Sequence, residues 1–204
     1  MRLTLDHVAV LGETLAAAVA HCETALPVPL GPGGQHARYG THNRLLGLEA
    51  GLYLEAIAID PEAPAPEGPR WFGLDDFSGP PRLARWILRT DDMDAALAAL
   101  PEAGAAVPLA RGDLRWRMAV PPSGHMAYDG MFPALIEWQS PTPAGDLLSP
   151  SGLTLTDLVI RHPEARALAN RLAPHLDAPL LRFETGAPGM EAHLRGPDGP
   201  ACLT

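Results

Sequence analysis

Apolar and polar positions alternate over three short stretches, and each stretch runs into a segment of helical periodicity. The first is Leu3-Thr4-Leu5-Asp6-His7-Val8-Ala9-Val10, followed by Glu13 to Ala25. The second is Leu83–Arg89 followed by Asp92–Leu97, and the third is Leu155–Ile160 followed by Pro163–Leu172. A period of two marks half-buried strands, and acidic or Pro starts suit the first turns of helices. Strand-like segments then follow the first helix near Gln35–Tyr39, Asn43–Leu48 and Leu52–Ile59, and the second near Ala106–Ala110, Asp113–Val120 and Ala134–Gln139. A shorter third copy continues with Pro179–Glu184, Glu191–Arg195 and Ala201–Thr204, with a Gly-Pro-Asp-Gly turn at Gly196–Gly199. Pro-rich connectors at Pro61–Arg70 and Ser140–Pro150 separate the copies. This predicts an α+β protein built by internal duplication. Its first βαβββ module covers residues 1–60, a connector 61–80, a second module 81–140, and a partial third module 141–204.

Strand parity then sorts the side chains. In the first strand Leu5, His7 and Ala9 share one face, and Val8 and Val10 the other. The same alternation puts Arg85, Ile87 and Arg89 on one face of the second module's first strand, Tyr53, Glu55 and Ile57 on one face of Leu52–Ile59, and Leu135, Glu137 and Gln139 on one face of Ala134–Gln139. The polar members of all four sets fall on one side, predicted to line a groove. His7 and Glu55 stand out, because each interrupts an apolar strand with a side chain able to ligate a metal.

Composition narrows the classes. The 204 residues are 47% hydrophobic and 19% charged, enough to bury a core, while 23 Pro and 20 Gly predict punctuated loops. A net charge of -9 opposes binding to a phosphate backbone, so nucleic acid is not an expected partner. All fifteen cationic side chains are Arg, which excludes Schiff-base chemistry on a Lys. Two cysteines, Cys22 and Cys202, make no disulfide framework and favour a reducing cytoplasm. The chain starts directly in a strand with no leader pattern, and no apolar run reaches membrane-spanning length. A cytoplasmic protein without membrane association is expected.

The segments Leu5-Asp6-His7-Val8-Ala9-Val10, Gly40-Thr41-His42-Asn43 and Tyr53-Leu54-Glu55, with Phe132-Pro133-Ala134-Leu135-Ile136-Glu137-Trp138, resemble the vicinal-oxygen-chelate superfamily, most closely its glyoxalase-like branch. The resemblance covers roughly residues 3–140. It implies paired βαβββ modules forming a curved sheet around a groove, and often a homodimer. It also implies metal ligands on the first and last strands of each module, which here fall on His7, Glu55, Arg85 and Glu137. His7 with two glutamates would suit Mn, Fe, Ni or Zn. Glu55 or Glu137 would move a proton while the metal grips adjacent oxygens of a small oxygenated metabolite, as in lyases, isomerases and dioxygenases of the family.

Arg85 departs from that pattern, because a guanidinium cannot ligate. At about 4 Å from a dication it would be repelled by roughly 8 kcal/mol at an effective dielectric of about 20. Either Arg85 turns away and leaves three ligands, or its charge replaces the metal and the groove binds an anionic or aromatic small molecule, as in bleomycin-resistance-type members. Arg85, Arg89, Arg115 and Arg117 would then form a cationic cluster, with Tyr53, His42 and His125 as further contacts, although Arg115 and Arg117 equally suit a solvated edge. In a third reading His7 and Glu55 only satisfy one another.

Overall fold

The structure, a computed structural model, describes residues 1–204. Strand β1 (Thr4–Leu11) leads into helix α1 (Leu15–Ala25), then β2 (Gln35–His36), β3 (Thr41–Gly47) and β4 (Tyr53–Ile59). Thr14 caps α1 by accepting from the Ala17 amide at 3.2 Å. The order repeats as β5 (Arg82–Arg89), α2 (Met93–Ala99), β6 (Ala105–Arg111), β7 (Leu114–Val120) and β8 (Ala134–Trp138). In each repeat the first strand lies parallel to the last, and the last lies antiparallel to the strand before it. Antiparallel pairing of β1 with β5 joins the repeats into one eight-stranded sheet, ordered β2-β3-β4-β1-β5-β8-β7-β6. The α+β fold of paired βαβββ units on a curved sheet is thus present.

A short helix, α3 (Ala144–Leu147), precedes the last unit: β9 (Thr154–Arg161), α4 (Ala165–Leu172), β10 (Leu181–Glu184), β11 (Gly189–Gly196) and β12 (Gly199–Leu203). Its element order copies the first two units, but its strand order is β10-β9-β11-β12. Helix α4 makes a parallel crossover from β9 to β10, so the first strand sits inside the sheet rather than beside the last.

Two apolar layers result. On the helix side, Val8, Val10, Trp86 and Leu88 of the large sheet share a core with Ala18, Cys22 and Met93 of the helices and with Leu158, Leu168 and Leu194 of the last unit. On the groove side, Ala9, Ile57, Ile87, Trp116, Met118 and Ile136 pack under Trp71 and Phe72. These last two belong to a 3₁₀ segment, Trp71–Asp76, that roofs the groove with Phe72 at φ 62 and Gly73 at φ 67.

Two bulges set what faces the groove. Between β1 and β5 the register runs Leu5 to Leu88 and then His7 to Ile87, leaving Asp6 as an extra residue. It next runs Ala9 to Arg85 and Val10 to Leu83, leaving Ala84 extra on β5. A bulge lets neighbouring side chains share one face. Leu5 therefore joins the helix-side core, and Asp6 takes the groove place that strict alternation assigns to Leu5.

Candidate functional site

Asp6 is fully buried, and three donors converge on its carboxylate. His7 Nδ1 lies 2.7 Å from Oδ1, and Arg89 Nε and Trp138 Nε1 donate to Oδ2 at 2.7 and 2.9 Å. On the other side of the imidazole, His7 Nε2 faces Glu55 Oε2 across 3.7 Å. Glu55 accepts a 2.6 Å hydrogen bond from Asn43 Nδ2. Asn43 Oδ1 in turn accepts from the Gly34 amide at 2.8 Å and from Arg111 at 3.2 Å. Tyr53 stacks on the His7 ring, 4.2 Å between centroids and 16° between planes. A polar chain thus runs from Arg89 through Asp6, His7, Glu55 and Asn43 to Arg111, across four strands and the tip of β6.

Burial sets the electrostatics of this chain, and its partners oppose burial. Burial disfavours charge on His7, but the hydrogen bonds and charges of Asp6 and Glu55 outweigh it and raise its pKa above the ordinary 6.5. Burial likewise raises Asp6 and Glu55, yet His7 brings both below their ordinary values, helped by Arg89 and Trp138 at Asp6 and by Asn43 at Glu55. These shifts favour an imidazolium held between two carboxylates. Burial holds the Tyr53 phenol well above its usual range, with the charges of Asp6 and Glu55 adding to it. His36, 3.5 Å from Asn43, is pushed down by burial to about 4 and stays neutral.

The cavity beside His7 and Glu55 measures about 30 Å³, room for one or two waters. Trp71, Trp116 and Trp138 wall it, with His36, Asn43, Tyr53, Met118, Ile136 and Arg111 around the rest. Trp71 Nε1 is buried without a partner. A larger cleft of about 550 Å³ lies between Ala65–Pro69 and β6, but its only ionisable groups are Arg38, Tyr39 and Glu67. The buried ionisable side chains gather at the small cavity.

Of the sequence-predicted residues, His7, Glu55, Tyr53 and Arg89 come together here, and several others do not. The alignment of Glu137 with Glu55 puts both carboxylates in the groove; the structure instead faces Ala134, Ile136 and Trp138 inward and turns Glu137 out. There Glu137 binds Arg117 through both oxygens, at 2.6 and 2.9 Å, and accepts from the Met93 amide at the start of α2 at 3.0 Å. The reason is that β8 is apolar on both faces, so alternation gives no parity. Arg117 faces outward with Glu137 and also reaches Asp94, and Arg115 bonds to the carbonyls of Gly112 and Leu114, so neither enters the groove.

Arg85 reaches away from His7. Its guanidinium donates to the carbonyls of Ala84 and Phe72, holding the roof segment from below. It has no carboxylate partner, and burial with the nearby Arg82 charge lowers its pKa to about 10. His42 sits outside the cavity, 3.9 Å from Asp60, and the exposed His125 pairs with Asp76 at 2.9 Å. Asp6, Asn43, His36, Arg111 and the indoles join the site without being among the residues the sequence pattern predicts for it. For Asp6 and Asn43 a signal existed, a polar side chain within an apolar strand.

The Asp6 carboxylate behind His7 suits a ligating imidazole, and Glu55 offers a second donor. No third His, Cys, Asp or Glu closes a mutually adjacent trio with them. Glu137 is outside, and Arg85 and Arg111 are cations. His36 also borders the cavity but lies too far from the pair to close such a trio, so the residues as placed do not form the three- or four-ligand set of a resident first-row ion.

The sequence matches the family model of the glyoxalase-like domain over residues 5–176. No curated protein matches it. Among solved structures it is similar to a hypothetical protein from Staphylococcus aureus, at 15% identity and a TM-score of 0.59, covering 91% of this chain and 87% of that one. It is also similar to methylmalonyl-CoA epimerase from Mycobacterium tuberculosis, at 19% identity and a TM-score of 0.43, covering 68% of this chain and 88% of that one.

Proposed function

The chain belongs to the glyoxalase-like domain family, and on that premise we propose that it is a binding protein whose groove takes a compact aromatic or anionic small molecule without a metal. The observation that carries this reading is that His7 and Glu55 face each other in a cavity walled by three indoles, where His36 closes no mutually adjacent ligating trio with them. His7 faces the Glu55 carboxylate and Arg89 pairs with that of Asp6, so an added dication finds little unspent negative charge. The groups left for a ligand are the Trp71 indole N–H, the faces of Trp116 and Trp138, and Arg111, which has no carboxylate partner. An aromatic ring with a carboxylate suits that set, its ring on indole and its charge on Arg111. The resting cavity is too small for it, so binding requires the Trp71–Asp76 roof or the Arg111 hairpin to move.

The reading is tested by titrating benzoate and, separately, neutral benzamide while following tryptophan fluorescence, with metal analysis after incubation in Mn, Ni and Zn. Saturable quenching by benzoate that weakens in Arg111→Gln supports it. Stoichiometric metal that disappears in Glu55→Ala would restore the metal-dependent lyase, isomerase or dioxygenase reading.

A further inference from the structure

The last unit carries a second cluster of chemically capable side chains, remote in sequence from the groove residues. Strands β11 and β12 pair antiparallel, with His193 directly opposite Cys202. Facing residues in such a pair hold their Cβ atoms about 4.5–5.5 Å apart. Glu191 lies two residues before His193 and therefore on the same face. The opposite face of β11 carries Met190, Ala192 and Leu194 into the core, so the cluster is held on a strand whose other side is fixed. One ligand atom from each of Glu191, His193 and Cys202 lies within 4.8 Å of the other two, and no other trio of His, Cys, Asp or Glu in the chain does so.

We propose that Glu191, His193 and Cys202 form a binding site for a zinc-class divalent ion, with a fourth position open to water. One carboxylate oxygen, one imidazole nitrogen and one thiolate sulfur are a donor set for a borderline ion, and three protein ligands leave a tetrahedral ion one free position. Arg161 is compatible with this. It donates to Glu191 Oε1 at 2.5 Å and to Oε2 at 3.1 Å, so Oε2, which faces His193 Nε2 at 3.6 Å, is the less engaged oxygen. Arg161 then orients the carboxylate from behind, as outer partners of ligating carboxylates do. Cys202 would ligate as the thiolate, so binding forms a metal–sulfur bond and releases the thiol proton to solvent.

The test uses the full-length protein stripped of metal and titrated with Co(II), then with Zn(II) in competition. The expected result is a near-ultraviolet sulfur-to-cobalt charge-transfer band, visible bands of a four-coordinate ion, saturation at one equivalent, and displacement by Zn(II). Cys202→Ser should abolish the charge-transfer band, and His193→Gln should weaken Zn(II) binding by at least about tenfold. Both residues are on the surface, so both variants should fold, as circular dichroism will verify. Glu55→Ala should bind as the wild type does, which separates this site from the groove. Absence of the band in the wild type, or its persistence in Cys202→Ser, would overturn the proposal.

Discussion

Asp6 satisfies three donors at once, and His7 depends on it for most of its charge balance. Asp6→Asn should cost about 3–5 kcal/mol in urea unfolding, because a buried ion pair is broken from one side. The ring resonances of His7 should also titrate at lower pH; an unchanged His7 titration would mean that Glu55 alone holds the charge. The two buried histidines respond oppositely to acid. His7 binds its proton more tightly when folded, so its contribution is complete below 6.5 and fades as pH rises through its raised folded value. His36 is neutral when folded, with its pKa at about 4, so stability falls as pH drops from 6.5 toward that value. Asp6 and Glu55 keep their contribution until pH falls below their ordinary 3.8 and 4.5. The sum predicts a stability maximum near pH 6.5. His36→Gln should remove about 3 kcal/mol of the acid-side loss and leave the alkaline side intact, measured by urea midpoints across pH. His7 and Glu55 were legible in the sequence because each breaks an apolar run. Asp6 was not, because a bulge obeys no period and must be seen in the pairing of β1 with β5.

The elements divide by how their two faces are covered. In β4, a polar residue between apolar neighbours gave the correct parity, and Tyr53, Glu55 and Ile57 do face the groove. Strand β8 has apolar groups on both sides, and there the alignment with β4 misplaced Glu137 by one residue. The polar face of β7 offered the correction, since Arg117 pairs directly with Glu137 across the ladder. Glu137 instead serves α2, joining Arg117 to the helix's first amide. Glu137→Gln should lower stability by about 1–3 kcal/mol in thermal unfolding, the range for hydrogen bonds to charged groups. It should leave the benzoate response of the cavity unchanged; loss of that response would return Glu137 to the site. Close approach also matters next to the centre. A Cβ on Gly33 would stand 2.0 Å from the Asn43 carbonyl oxygen and 2.6 Å from its Oδ1. Gly33→Ala must therefore displace β3, and it should disturb the Asn43 hydrogen bond to Glu55 along with the fold.

Across the whole molecule, the last unit is not a separable appendage in its packing. Leu155, Leu158, Ile160, Leu168 and Leu203 belong to the same core as Val8, Trp86 and Leu135, and the Leu3 amide bonds to the His175 carbonyl at 2.8 Å. Arg171 of α4 pairs with Glu102 at 2.7 Å. All four tryptophans, at 71, 86, 116 and 138, precede this unit. Leu158→Ala, which empties a buried site in β9, should cost about 2–5 kcal/mol. It should move the tryptophan-fluorescence and circular-dichroism midpoints together. A tryptophan transition left in place would show that the last unit melts alone. No helix is long and apolar enough to cross a membrane. The extra residue at position 6 has a consequence for how such a molecule can change over generations. Removing it would close the β1–β5 ladder with Leu5 still against the helices and His7 still inward. The counter-charge of the imidazole would vanish, while the apolar layers that hold the fold would be untouched. Loss or gain of this polar centre is therefore one codon deep, and a change in the length of the first strand is enough to decide it.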